Sequence, residues 1–278
     1  MKGLKIAIVG KGGVGKTTIA GTLARLFGRD GYNVLAVDAD PNTNLAITLG
    51  IPEDIAERIK PIAENMDLIK ERTGTPVGGW GLGAFVLNPK VDDIADKFGI
   101  TAPDNVKLLV MGTVKASGSG CMCPANALLR ALLQYLILGR KDIVILDMEA
   151  GLEHFGRGTA KGVDVMLGIA TPSAKAFLTL KRAHELALEL GVKKFYVVAN
   201  MVRNEEDAEY VKQMSKELNL ELIELIPFDR SLMEADVRSI SPLDYNPNSP
   251  AILSIKRLKG KMLNMWGYYV DINRKAHD

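Results

Sequence analysis

Two periods of apolar residues divide the chain. Short runs predict strands at Leu4–Val9, Asn33–Val37, Val106–Met111, Ile143–Leu146, Val163–Ala170, Phe195–Ala199 and Leu220–Ile226. Several are continuous Val/Ile/Leu runs, as expected where helices cover both faces of a parallel sheet. Between them, apolar positions recur at helical spacing over Thr17–Gly28, Ala125–Leu138, Ala174–Leu190, Glu205–Leu218 and Ala251–Met265. Thr171-Pro172-Ser173 reads as a helix start and Leu190-Gly191 as a helix stop. This alternation predicts an α/β fold built on a doubly wound, mostly parallel sheet with right-handed crossovers.

Two stretches break the rhythm. From Pro52 to Asp104 a charged helical part, Glu53–Arg72, leads into Gly74, Gly78, Gly79, Gly81 and Gly83 around Trp80. Such a stretch inside an α/β fold reads as a functional loop, an interface or a surface insertion. The last residues, Gly267–Asp278, carry neither period and are expected to fray. A single domain over residues 1–265 with a tail at 266–278 follows.

Composition narrows the function classes. Of 278 residues, 47% are hydrophobic and 24% charged, enough for a sizeable core. Thirty-five basic against 33 acidic residues give a net charge of +2, so no global field favours nucleic acid or an acidic membrane. No apolar run reaches the roughly 18 residues of a bilayer span. The N-terminus lacks the long apolar stretch of a signal peptide, so the expected compartment is the cytoplasm. Ile252, Ile255, Leu258 and Met262 make an apolar stripe beside Lys256, Arg257, Lys259 and Lys261. The stripe fits a helix packed on the core, with a membrane anchor as the rival.

The sharpest signal is Gly10-Lys-Gly-Gly-Val-Gly-Lys16-Thr17-Thr18, between the first strand and the first helix. It satisfies G-x-x-x-x-G-K-[ST] in the strand–loop–helix context that motif requires. Backbone N–H groups from Gly12, Gly13, Val14, Gly15 and onward through Thr18 would converge on phosphate oxygens, helped by the helix dipole. Lys16 would reach the β- and γ-phosphates, and the Thr17 hydroxyl would ligate Mg²⁺. Ile143-Val-Ile-Leu-Asp147 is an apolar strand ending in an acid, the Walker B pattern, with Asp147 placed to hold the metal's water shell. Cys121-Met122-Cys123 is the chain's whole cysteine content. Two thiolates leave a tetrahedral metal site half filled. Pairs from two subunits would complete it, and soft sulfur selects Zn²⁺, Cu⁺, Ni²⁺ or an iron–sulfur cluster. The bland reading is a pair of small buried hydrophobes at a helix start.

Lys11 turns the phosphate loop toward one group. Lys-Gly-Gly-Val-Gly-Lys-Thr-Thr resembles the deviant Walker A loop of P-loop ATPases that dimerise around ATP, among them the nitrogenase iron protein and the Min and Par ATPases. The resemblance implies that Lys11 acts across a homodimer interface on the partner's phosphates. It implies that Asp40, in Val37-Asp38-Ala39-Asp40-Pro41, orients the attacking water near Mg²⁺, making Lys11, Lys16 and Asp40 the catalytic set. It also implies a base site at Asn200, Pro227 and Asp229; the guanine-type Asn-Lys-x-Asp is absent, which favours ATP. The C-x-C pair and Asp147-Met-Glu-Ala-Gly-Leu-Glu-His154-Phe-Gly-Arg-Gly158-Thr159 resemble the CooC-type nickel ATPases. Those imply Ni²⁺ or Zn²⁺ held by Cys121 and Cys123 at the dimer interface. The client would be carbon monoxide dehydrogenase or, through a sister group, acetyl-CoA synthase. Neither nucleic acid nor membrane is expected as a partner. The rival is a Par- or Min-type positioning ATPase without a metal role.

Overall fold

Among the described residues, eight strands form one sheet in the order β3-β4-β2-β5-β1-β6-β7-β8. The computed structural model describes residues 3–40, 44–74, 86–112, 124–138, 143–148 and 162–275. The strands are β1 (Lys5–Gly10), β2 (Val34–Asp38), β3 (Ile100–Ala102), β4 (Val106–Val110), β5 (Ile143–Asp147), β6 (Val165–Ala170), β7 (Phe195–Val202) and β8 (Glu221–Pro227). All neighbours run parallel except β3 against β4. The helices are α1 (Lys16–Arg29), α2 (Leu45–Thr48), α3 (Glu53–Ala56), α4 (Met66–Thr73), α5 (Ile94–Phe98) and α6 (Pro124–Leu138). They continue with α7 (Ala174–Leu190), α8 (Glu205–Glu217), α9 (Arg230–Val237), α10 (Pro242–Tyr245) and α11 (Pro250–Lys275).

The central strands are buried along their whole length, so their side chains divide between two cores. On β1, Ile6 and Ile8 join the core beneath α1 and α11, while Ala7 and Val9 join the core beneath α6. This is the two-residue alternation of a strand covered on both faces, and it explains why these strands read as unbroken apolar runs.

Three expectations need amendment. The charged stretch Glu53–Arg72 is not one helix: Pro61 opens a 3-10 turn, Ile62–Glu64, between α3 and α4. Proline lacks the N–H and sets its own φ, so a helix cannot run through it unbroken. The short antiparallel strand β3 carries too little apolar pattern to be seen in sequence. It is joined to β4 by a turn with Asp104 and Asn105 at φ 60° and 57°, the left-handed pair of a tight hairpin. Finally, Gly267–Lys275 is helix rather than a frayed end, since α11 continues to Lys275. A glycine weakens a helix by about 1 kcal/mol but does not end it.

α11 settles on the core. Ile252, Ile255, Leu258 and Met262 are fully buried. Its cations are engaged within the chain: Lys256 with the Pro247 carbonyl, Arg257 and Lys261 with Glu224, and Lys259 with Asp30. Lys261 also donates to the Ile223 carbonyl on the sheet-edge strand β8. No helix among the described residues is long and apolar enough to cross a membrane.

Candidate functional site

The phosphate loop leaves β1 and enters α1 at the C-terminal edge of the parallel strands, where ligands bind in such sheets. Lys11, Gly12 and Gly13 are exposed, whereas Val14 is buried and anchors the loop. Gly15 sits at φ 90°, and a Cβ there would lie 2.3 Å from Asn200 Nδ2. Glycine is therefore required by both conformation and space. The same Asn200 Nδ2 donates to the Val14 carbonyl at 2.9 Å, tying β7 to the loop. That bond uses one of the two N–H donors of the amide and leaves its carbonyl oxygen as an acceptor beside the cleft.

Lys16 is only 5% exposed. Its ammonium lies 3.5 Å from the Lys11 carbonyl and 3.6 Å from the Asp40 carboxylate. The loop lysine and Asp40, two of the three residues expected to form the catalytic set, thus lie side by side. Asp147 ends β5 beside them, buried, with the Thr17 hydroxyl as its side-chain hydrogen-bond partner. Burial first, and the Asp40 charge after it, push its carboxyl up to about 6; the Thr17 hydroxyl and the Lys16 ammonium pull the other way. A buried carboxylate with so few partners is costly unless a cation completes it. Oxygen donors from Asp147 and Thr17, with Asp40 adjacent, suit a hard divalent ion such as Mg²⁺.

Asp38 is a buried acid at the edge of the site to which the sequence reading gave no role. It pairs in register with Asp147 across β2 and β5. Its carboxylate accepts from the Asp40 amide at 3.3 Å and the Leu45 amide at 3.1 Å, which ties the segment after β2 to the start of α2. Burial, then repulsion from Asp147, push it up to about 8. The available signal was an acid closing an otherwise apolar strand, Val34–Asp38, two residues before Asp40.

Above the loop opens a cleft of about 730 Å³. Gly12, Gly13, Gly15, Lys16, Thr17 and Thr18 form its floor, with Asp40 beside them. One wall carries Asn44, Ile47, Thr48 and Glu53; the other carries Asn200, Met201, Pro227, Phe228, Asp229, Leu232 and Met233. Met201 adopts φ 60° where β7 and β8 lose register. Asp229 caps α9, accepting from the Ser231 amide and hydroxyl. Asn200, Pro227 and Asp229 therefore do converge on the cleft, although Asp229 spends its oxygens on protein groups. Cys121 and Cys123, with the segment Glu149–Thr159, lie outside the described residues. The chain departs toward the cysteines from the end of β4, where Met111 donates to the Asp38 carbonyl and Gly112 packs on Pro61.

A family model described as the CobQ/CobB/MinD/ParA nucleotide binding domain matches residues 5–243. The chain belongs to that family. It is 50% identical to an uncharacterized ATP-binding protein of Methanocaldococcus jannaschii over 84% of this chain and 88% of the other. It is 41% identical to the carbon monoxide dehydrogenase accessory protein CooC of Rhodospirillum rubrum, over 88% of this chain and 91% of that one. The MinC:MinD cell division protein complex of Aquifex aeolicus shares the fold, with a TM-score of 0.67 at 19% identity over 94% of this chain and 96% of that one. A nucleotide binding domain fits the phosphate loop that floors the cleft.

Proposed function

We propose that this protein is a cytoplasmic ATPase that dimerises around Mg²⁺-ATP and delivers nickel during maturation of carbon monoxide dehydrogenase. The observation that carries this reading is the 41% identity to the accessory protein CooC across nearly the whole of both chains. Maturation of acetyl-CoA synthase is the neighbouring alternative. A membrane-positioning role loses its main support, because the apolar stripe of α11 is buried and its cations are engaged.

The geometry supports a mechanism of positioning and charge. The loop amides and Lys16 would hold the β- and γ-phosphates, and the Asn200 carbonyl oxygen would accept from the exocyclic amine of adenine, which guanine does not offer there. Thr17 and Asp147 would hold the Mg²⁺ shell, with Asp40 at its edge. Bound there, the metal neutralises phosphate charge. Asp40 would orient the attacking water. Lys11, exposed at the rim of the loop, would reach the partner's nucleotide and act like an arginine finger. Closure of the dimer would change the spacing of the two C-x-C segments and hence their hold on the cargo metal.

The test is metal titration by calorimetry with analytical ultracentrifugation alongside. The expected result is one Ni²⁺ or Zn²⁺ per dimer, with the metal promoting dimerisation by linkage. Cys121→Ser and Cys123→Ser should each abolish both effects while leaving ATP binding intact. One metal per monomer, or tight binding that survives the double change, would rule out a shared four-thiolate site.

A further inference from the structure

The base wall of the cleft is held by a residue with no acceptor capacity left over for a base. Asp229 Oδ1 accepts from the Ser231 amide at 3.0 Å and the Ser231 hydroxyl at 2.6 Å. Its Oδ2 accepts from the Ala251 amide at 3.1 Å, and the Ser249 hydroxyl adds a further bond. One carboxylate therefore caps α9, which carries Leu232 and Met233 into the cleft, and also the first turn of α11.

α11 in turn lies against α1. Ile252, Ile255 and Leu258 share a core with Ile19, Leu23 and Phe27 of α1. Lys259 reaches the Leu26 carbonyl and Asp30 at the far end of that helix. α1 begins in the phosphate loop. A closed path thus runs from the base wall through Asp229 to α11, to α1 and back to the phosphates.

We infer that Asp229 is a positioning residue: it sets the distance between the base wall and the phosphate loop by joining the N-termini of α9 and α11, and does not itself read the base. The inference rests on the cleft being the nucleotide site. It predicts a loss that depends on having a nucleoside but not on which groups the base carries.

The experiment uses the full chain with Mg²⁺ and three probes: ATP, purine riboside 5′-triphosphate, which lacks the exocyclic amine, and inorganic tripolyphosphate, which has no base. Asp229→Asn keeps one acceptor where the carboxylate has two. It should weaken both nucleoside triphosphates by the same factor, on the order of ten-fold, the size of one lost helix cap expressed as an equilibrium factor. KM for ATP should rise by that factor with kcat retained. Tripolyphosphate affinity should stay within two-fold of wild type, and hydrogen exchange at the Ala251 amide should quicken. Ser231→Ala, a gentler change, should reproduce the pattern in smaller measure. A loss confined to ATP would mean that Asp229 reads the amine directly and would overturn the inference. So would unchanged ATP affinity, or an equal loss of tripolyphosphate. Wild-type protein that binds neither ATP nor tripolyphosphate would overturn the nucleotide reading itself, and this inference with it.

Discussion

Asp38 and Asp147 face one another on adjacent strands with almost no access to water. A carboxyl pushed up to about 8 stands far above its ordinary value of 3.8. Between about pH 4 and about 8 the folded chain keeps a proton that the unfolded chain has released, so the site's contribution to stability falls as pH rises through that window. Asp38→Asn should therefore flatten the pH dependence of the metal-free protein, making it relatively more stable toward pH 8. Urea midpoints measured across that range would show it; an unaltered slope in the variant would mean that the proton sits elsewhere. Mg²⁺-ATP should reduce the same slope in wild-type protein, since a cation replaces the proton as the partner of the buried charge.

At the scale of elements, α11 is where packing was decided by tertiary context. Its apolar stripe and flanking cations suit either a core helix or a surface one, and only the partners separate the two. Leu258 is fully buried in the core shared with α1. Leu258→Ala should cost about 2–5 kcal/mol through the lost transfer energy and the cavity left behind. Thermal melting would register this as a lower midpoint, and a variant as stable as wild type would contradict the packing. Much of the architecture was legible because buried parallel strands write themselves as continuous runs, Leu4–Val9 and Ile143–Leu146 among them, and because the phosphate loop is a local motif. Less legible were features that depend on long-range contact. The antiparallel β3 has three residues and a turn; the break at Pro61 was masked by charged residues that favour helix on both sides. Asp38 looked like a strand end until β5 was laid beside it. The grip of Asn200 on Val14 joins positions 186 residues apart, which no spacing could reveal.

For the whole molecule, the two lysines of the loop have opposite surroundings. Lys16 is buried over the site, whereas Lys11 is exposed at its rim. Lys16→Ala should abolish nucleotide binding; Lys11→Ala should bind ATP yet lose turnover by about 10³–10⁵, the scale of a missing arginine finger. Because Lys11 would serve the neighbouring subunit, mixing the two inactive variants should restore activity. The Lys16→Ala chain donates its Lys11 to the nucleotide held by the Lys11→Ala chain. Steady-state phosphate release from the mixture, against each variant alone, decides the matter, and a mixture no better than its parts would mean that Lys11 works within its own subunit. The contact between Gly15 and Asn200 has a consequence of another kind. If Asn200 faces the base as proposed, it cannot be exchanged for the sake of that task without disturbing its brace on the loop. On that proposal, altering nucleotide preference would take paired changes at positions 200 and 15, through intermediates that hold phosphate poorly, so a choice of adenine would be locked in by mechanical dependence as much as by affinity.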